Sequence, residues 1–283
     1  MNSESNKPQL TRKIVSTLLL MSTFSLLFLI LATHDTAATS LSAGEADKSN
    51  VKKNAEKSAD KKANDKKKTE KNDAKPKPDK HGIVVSKSMN LFDGKTLKGW
   101  KSTNFGGEGD IAVKDKQIIM EFGSPMTGIT WKGDPKKLPK TNYEITLDAM
   151  RVDGSDFFCG LTFPVKKDPC SLILGGWGGG TTGLSSINGA DASENETTDY
   201  RMFENKKWYK VRLRVLDDRI QAWVDGKEIV CVDIKDKQLG IRIEVEQSRP
   251  LGIASFQTTT AIRNFKLHWL DVSKRKKDDD DEC

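Results

Sequence analysis

The chain has 283 residues, of which 47 are Lys or Arg and 40 are Asp or Glu, for a net charge of +7. The excess is not spread evenly: Glu45–Lys80 carries 13 Lys against 8 acids, whereas Ile83–Asp271 carries 27 basic against 25 acidic residues. A spaced, sign-mixed lysine run without interleaved aromatics reads as a solvated spacer, so the positive charge excludes nucleic-acid binding as the leading function.

At the N-terminus, Lys7, Arg12 and Lys13 precede the uncharged stretch Ile14–Leu31. This is the order of a positive region and an apolar region in an export signal. Ala37, Ala38, Ser40, Ser42 and Ala43 offer small residues for cleavage, and no Cys follows to accept a lipid. At 18 residues the stretch is also near the lower limit for a membrane span, so the reading of residues 1–43 is signal peptide or membrane anchor. Either way the cationic flank stays inside, and the rest of the chain is expected outside the cytoplasm: periplasmic, extracellular or anchored to the outer face of the inner membrane. No second apolar stretch of that length follows, which excludes a helical channel or transporter.

Residues 44–82 are almost entirely Lys, Asp, Glu, Ala, Asn and Ser. Too little apolar surface is available there to offset the entropy of ordering, so a disordered charged linker is expected. Such a tether spans roughly 35 Å. It precedes one domain, residues 83–271, which holds all six Trp and 20 of the 22 Gly.

The domain alternates with period two. Strands are predicted at Ile111–Val113, Gln117–Phe122, Tyr143–Met150, Phe157–Phe163, Ser171–Gly176, Lys210–Val215, Ile220–Asp225, Ile229–Asp233, Ile241–Glu246, Ile253–Phe256 and Ala261–Leu270. Asp217-Asp218 and Asp225-Gly226 supply turns between neighbouring strands. No window of ten residues carries a helical stripe. The fold class is therefore all-β, an antiparallel β-sandwich or jelly roll. The closing residues 272–283 read as a charged, solvated tail ending in an exposed Cys283.

Three separated motifs resemble the 3-keto-disaccharide hydrolase-like domain family. They are Leu91-Phe92-Asp93-Gly94 with Leu97-Lys98-Gly99-Trp100, then Lys207-Trp208-Tyr209-Lys210-Val211 with Ile220–Gly226, then Pro250–Gln257 with Ile262-Arg263-Asn264-Phe265. The resemblance covers nearly all of residues 88–270 and implies a concanavalin A-like jelly roll in an exported bacterial protein, with a carbohydrate on the concave face. The chain departs from the family in three places. Many members carry an Arg after the paired aromatics, where this chain has Phe157-Phe158-Cys159. Many carry an acid and a His after the late Gln, where Thr258 and Thr259 follow Gln257. Leu174–Gly180 is Gly-rich where the family has a short strand with a Glu.

Independently of the family, Ile241-Arg-Ile-Glu-Val-Glu246 places Arg242, Glu244 and Glu246 on one face if it is a strand, with neighbouring Cα atoms roughly 6.5–7 Å apart. Carboxyl groups so spaced reach the separations of about 5–9.5 Å used by glycosidase acid, base and nucleophile pairs. Arg242 would hold one of them ionised, and repulsion would favour a proton on the other. The alternative is a wet strand face of alternating charge. Glu244, Glu246 and Arg242 are thus the catalytic candidates, and Trp177, Gln257, Asp156 and Arg263 the substrate-binding ones. Trp177 among glycines suits stacking on a sugar ring, or equally plugs a sheet edge.

Asp156, Asp191, Glu194, Glu196 and Asp199, with Asn188 and Asn195, form an oxygen-rich set of the kind that takes Ca²⁺, but their spacing matches no EF-hand and they read as solvated loop acids. No cofactor is expected. His268 reads as a satisfied strand histidine. Export permits a disulfide between Cys159 and Cys170, but Cys159 is expected to face residue 174 rather than 170, so that pairing needs a bulge or a loop excursion and reduced or partly buried thiols are favoured; Cys231 is expected in the core. Two function classes follow: a glycoside-cleaving enzyme resembling 3-keto-disaccharide hydrolases, or a lectin-like module on the same face. A tethered structural envelope protein is a third. The expected partner is a carbohydrate ligand.

Overall fold

The computed structural model describes residues 77–276 and Cys283; the expected signal or anchor segment, most of the expected linker and Lys277–Glu282 lie outside the described residues. Fifteen strands run in chain order as β1 (Val84–Asn90), β2 (Trp100–Ser102), β3 (Ile111–Lys114), β4 (Gln117–Met120), β5 (Met126–Trp131), β6 (Tyr143–Gly154), β7 (Cys159–Val165), β8 (Asp168–Gly176), β9 (Thr181–Ser185), β10 (Asp199–Tyr200), β11 (Trp208–Val215), β12 (Arg219–Val224), β13 (Lys227–Asp233), β14 (Gly252–Phe256) and β15 (Thr258–Asp271). They form two antiparallel sheets. The first has the order β13-β12-β11-β6-β15-β4-β3, with β1 also paired to β15, and the second the order β10-β9-β8-β7-β14-β5-β2. The all-β jelly-roll expectation holds.

The period-two pattern explains the core between the sheets. In β6 and β11 the register sets Ile145 against Leu213, Leu147 against Val211 and Ala149 against Tyr209, all buried. Across the sandwich, Leu161, Phe163, Leu172 and Leu174 supply the facing surface. Packing of this kind gains roughly 25 cal/mol for each Å² of apolar area removed from water and is the main term that holds the sheets together. The first family motif is part of this core. Trp100 stacks on Phe265 at 5.2 Å, and its indole N–H donates to the Leu91 carbonyl at 2.7 Å. The β12–β13 turn is the expected one, with Asp225 and Gly226 at φ 51° and 81°. His268 is bonded at both ring nitrogens, to Ser88 and Thr146.

The second sheet is buried on both faces. Ser171, Ile173, Ser185 and Ala254 point away from the sandwich core, yet each is buried. β9 shows no alternation for this reason: Thr181–Ser185 is buried at every position, wet on neither face.

The cover comes from residues 234–251. They leave β13 at the edge of the first sheet, bridge the β9–β10 loop at Ile187 and Leu239, and cross the outer face of the second sheet before entering β14. The predicted strand Ile241–Glu246 is part of this crossing and is not a strand. It is a 3₁₀ helix, Ile243–Ser248, with local bonds such as Val245 N–H to the Arg242 carbonyl at 3.1 Å. Its alternating sequence fits a strand, but no strand edge adjoins it to complete a ladder.

Two further expectations are corrected. Cys231 is not a core residue: Val230 and Val232 face inward, and Cys231, between them, is disulfide-bonded to Cys283. The start of the tail is solvated only in part: Ser273, Lys274 and Lys276 are exposed, but the Arg275 side chain is buried and pairs with Asp218 at 2.7 Å. Cys159 does face Leu174, and both it and Cys170 are buried thiols.

Burial pushes each of these thiols up to about 12, because a thiolate there would be unsolvated. The folded protein at pH 8 should therefore show no fast reaction with Ellman's reagent. Two thiols should appear in denaturant and four after reduction. A fast-reacting thiol in the native state would contradict the burial of Cys159 and Cys170.

Candidate functional site

A cleft of about 260 Å³ lies on the outer face of the second sheet, lined by Pro125, Met126, Asp156, Phe157, Ser171, Ile173, Trp177, Ser185, Arg242, Glu244, Val245 and Phe256. Its floor is strand residues, and the 3₁₀ crossing forms one wall. The tie between them is a hydrogen bond of 2.8 Å from the Thr130 hydroxyl to the Gln247 carbonyl.

The turn between β8 and β9 forms the opposite wall. Trp177, at φ 49°, is 46% exposed. The Gly178 N–H donates to Asp156 at 2.8 Å, and the other oxygen of that carboxylate accepts from the Phe157 N–H at 2.7 Å. Gly179 is required here, since a Cβ would come within 2.4 Å of the Ser155 carbonyl oxygen and φ is 111°. Asp156 thereby fixes the turn that holds the indole at the mouth of the cleft.

Arg242 grips Glu244 with two nitrogens, at 2.7 and 3.3 Å, and its third reaches Asp191. Asp191 also accepts from the Ser185 hydroxyl at 3.2 Å. The bidentate guanidinium holds the Glu244 carboxyl below its ordinary range, and Glu244 raises Arg242 in turn. Glu244 is accordingly a fixed carboxylate at neutral pH.

The sequence-predicted residues separate into two groups. Trp177, Asp156, Arg242 and Glu244 come together in the cleft. Glu246 is not among its lining residues and pairs instead with Arg249 at 2.6 Å, because a step of two residues on a 3₁₀ helix does not return to the same face. The two glutamates therefore do not form the same-face pair that the sequence pattern implied. Gln257 is exposed on the β14–β15 turn, its N–H bonded to the Pro125 carbonyl. Arg263 belongs to the other sheet, where it pairs with Asp148 at 3.0 Å and stacks on Trp208 at 4.0 Å.

Sequence reasoning missed Met126, Ile173, Ser185 and Val245 as lining residues and Asp191 as the partner of Arg242. The only available signal was the placement of Ser171 and Ile173 on one side of a strand. Of the loop acids, Asp191 is bound to Arg242, Glu196 to Lys237, and Asp199 to Arg201 at 3.9 Å. Among the described residues no group of three or more His, Cys, Asp or Glu is placed to hold a metal ion.

The sequence profile of the 3-keto-alpha-glucoside-1,2-lyase-like domain matches residues 87–268. No match was found among curated proteins. Solved structures similar to this chain include a Parabacteroides distasonis protein described as a glycosyl hydrolase, 14% identical, covering 65% of this chain and 94% of that one, with a TM-score of 0.42. The carbohydrate-binding module CBM66 of Bacillus subtilis is 16% identical, with coverages of 59% and 94% and a TM-score of 0.40. A Bacillus subtilis protein with a galectin-like fold is 10% identical, with coverages of 66% and 96% and a TM-score of 0.44.

The ionic clamp makes a pH-dependent statement. A carboxyl whose folded pKa is depressed stabilises the fold above its unfolded value, near 4.5, and that contribution is lost as pH falls through the folded pKa. Arg242→Met should let the Glu244 carboxyl rise toward 4.5, read by carboxyl NMR titration, and should flatten the acid dependence of unfolding below that pH. An unchanged Glu244 titration would show that Arg242 does not set its charge.

Proposed function

The chain belongs to the 3-keto-alpha-glucoside-1,2-lyase-like domain family, and from that premise we propose that its cleft binds a carbohydrate, with Trp177 as the stacking platform and the fixed carboxylates of Asp156 and Glu244 as acceptors for sugar hydroxyls. At the coarser level the protein is a glycosyl hydrolase-like or carbohydrate-binding jelly-roll module. The observation that carries the reading is the exposed indole, held in a left-handed turn by Asp156 beside a second carboxylate already oriented by Arg242. An aromatic face covers the apolar C–H surface of a sugar, and carboxylates accept from its hydroxyls. Both kinds of group are present and rigid.

The family match favours a second reading, in which the bound sugar is also cleaved. Two-carboxylate hydrolysis requires one carboxyl to carry a proton. Glu244 is held ionised, and Glu246 stands outside the cleft lining. Elimination asks less. In a 3-keto glucoside the C3 carbonyl acidifies the proton on C2. A carboxylate removes that proton, the C2–H electron pair becomes the C1–C2 double bond, and the C1–O bond breaks with its electrons going to the leaving oxygen, which takes up a proton. Glu244 is the base in this reading, and Arg242 supplies positive charge for the enolate that develops.

Affinity and turnover separate the two. Trp177→Ala should weaken glucoside binding by about fivefold or more, equivalent to ~1 kcal/mol of lost stacking, in calorimetric titration. Wild-type affinity in that variant would remove the platform. If the wild type turns over a 3-keto glucoside, Glu244→Gln should lower turnover by about 10² or more, while Glu246→Gln leaves it within twofold. Equal losses in both would restore the paired-carboxylate mechanism.

The domain is also proposed to act outside the cytoplasm, on the strength of Lys7, Arg12 and Lys13 ahead of Ile14–Leu31. No helix among the described residues is long and apolar enough to cross a membrane. Protease added to intact spheroplasts should release a folded fragment beginning near His81. Protection until the cells are broken would place the domain inside.

A further inference from the structure

The polar groups of the cleft are nearly all engaged by the protein itself. The Ser171 hydroxyl bonds Thr162 at 2.8 Å, Ser185 bonds Asp191, and Arg242 is held by Glu244 and Asp191. What the cleft offers an incoming molecule is therefore mostly hydrocarbon. Met126 sits opposite Phe256 in the β5–β14 register. The Phe157 and Phe256 rings are 5.8 Å apart, and the Phe157 ring lies so close over Gly160 that a Cβ there would approach it to 3.0 Å. Ile173 and Val245 complete an apolar strip of this kind. A strip so continuous is larger than a sugar ring needs, since a monosaccharide presents only one small apolar patch and is otherwise hydroxyls.

The surroundings of the cleft extend the pattern. Among the described residues the exposed large hydrophobic side chains are Phe122, Trp177, Tyr200, Met202 and Ile243. Trp177 lines this cleft and Ile243 is on its 3₁₀ wall, while Phe122, Tyr200 and Met202 are not among its lining residues. Ile243, 86% exposed, lies between the lining residues Arg242 and Glu244, and Phe122 precedes the Pro125–Met126 wall by three residues. Tyr200 pairs with Thr181 beside the Trp177 turn, and the Arg201 N–H bonds the Gly180 carbonyl, which keeps Met202 next to that turn. Scattered exposed apolar residues need no explanation, but Trp177 and Ile243 stand on the two walls of the same cleft.

We infer that the ligand is a glycoside with a large apolar aglycone, alkyl or aryl, whose sugar lies against Trp177, Asp156 and Glu244 while the aglycone occupies the strip of Met126, Phe157, Ile173 and Phe256. This rests on the carbohydrate reading of the cleft and adds the class of the group linked to the sugar. The polar and apolar parts of such a molecule match the two parts of the site. Unsubstituted disaccharides would leave the strip against hydroxyls, with no hydrogen-bond partners for them.

The test compares methyl, phenyl and octyl glucosides of both anomers, with octanol and phenol alone, by calorimetric titration of the full-length chain. Each methylene sheltered from water is worth about a factor of four in affinity, so two or three of them should make octyl glucoside bind about 15- to 60-fold more tightly than methyl glucoside. Phe157→Ser should collapse that ratio. Ile243→Asp, at an exposed position that folding does not depend on, should lower the ratio at least threefold. Equal affinities for methyl and octyl glucosides in the wild type would overturn the inference and leave the carbohydrate reading standing. Octanol binding as tightly as octyl glucoside would overturn both, because the sugar would then contribute nothing.

Discussion

A sheet that is buried on both faces needs something to lie across its outer side, and in this domain residues 234–251 do so. The consequence reaches every part of the site. Ser171, Ile173, Ser185 and Ala254 face away from the sandwich and would meet water if β14 followed β13 by a short edge connection. Instead the chain passes over them, pinned by the Ile187–Leu239 bridge at one end and by the Thr130–Gln247 hydrogen bond at the other. Because the crossing is a 3₁₀ segment rather than a strand, it covers only part of the face. The gap between it and the Trp177 turn is the cleft.

The charge in that gap is fixed by geometry more than by desolvation. One guanidinium serves two carboxylates, Glu244 through two hydrogen bonds and Asp191 through another. Arg suits this role because its planar fork meets a carboxylate with two parallel donors and does not lose its proton. The arrangement joins the crossing segment to the β9–β10 loop and keeps Glu244 ionised and oriented. It also separates the chemistry open to this cleft from that of a two-carboxylate glycosidase, in which one group must hold a proton.

The motifs that carry the family resemblance have a different physical origin from the cleft. Leu91, Phe92, Trp100 and Phe265 are buried, and Asp93 closes its turn by accepting from the Lys95 and Thr96 N–H groups at 2.7 Å each. These residues hold the sheets together and are the same for any ligand. Phe256, inside the third motif, is the one place where a motif residue also lines the cleft. Around the cleft itself the chain departs from the family, most visibly in Leu174–Gly180, where glycines permit the left-handed backbone that presents Trp177.

The sequence by itself determined the all-β class, most strands of the first sheet and the family. Strands such as β6, β11 and β12 face water on one side, so alternation of apolar and polar residues records both their conformation and their orientation. It also marked Trp177, Asp156, Arg242 and Glu244, through an aromatic among glycines and a charged alternating run. Only the tertiary structure decided how those four meet and which candidates do not join them. Ile241–Glu246 carries a strand-like pattern, but a strand needs a partner, and none is available where this segment crosses. Arg263 shares a motif with cleft-side residues yet lies on the opposite sheet, because a sandwich sends neighbours in sequence to different layers. Cys231 and Cys283 were legible as cysteines but not as a pair, since 52 residues separate them.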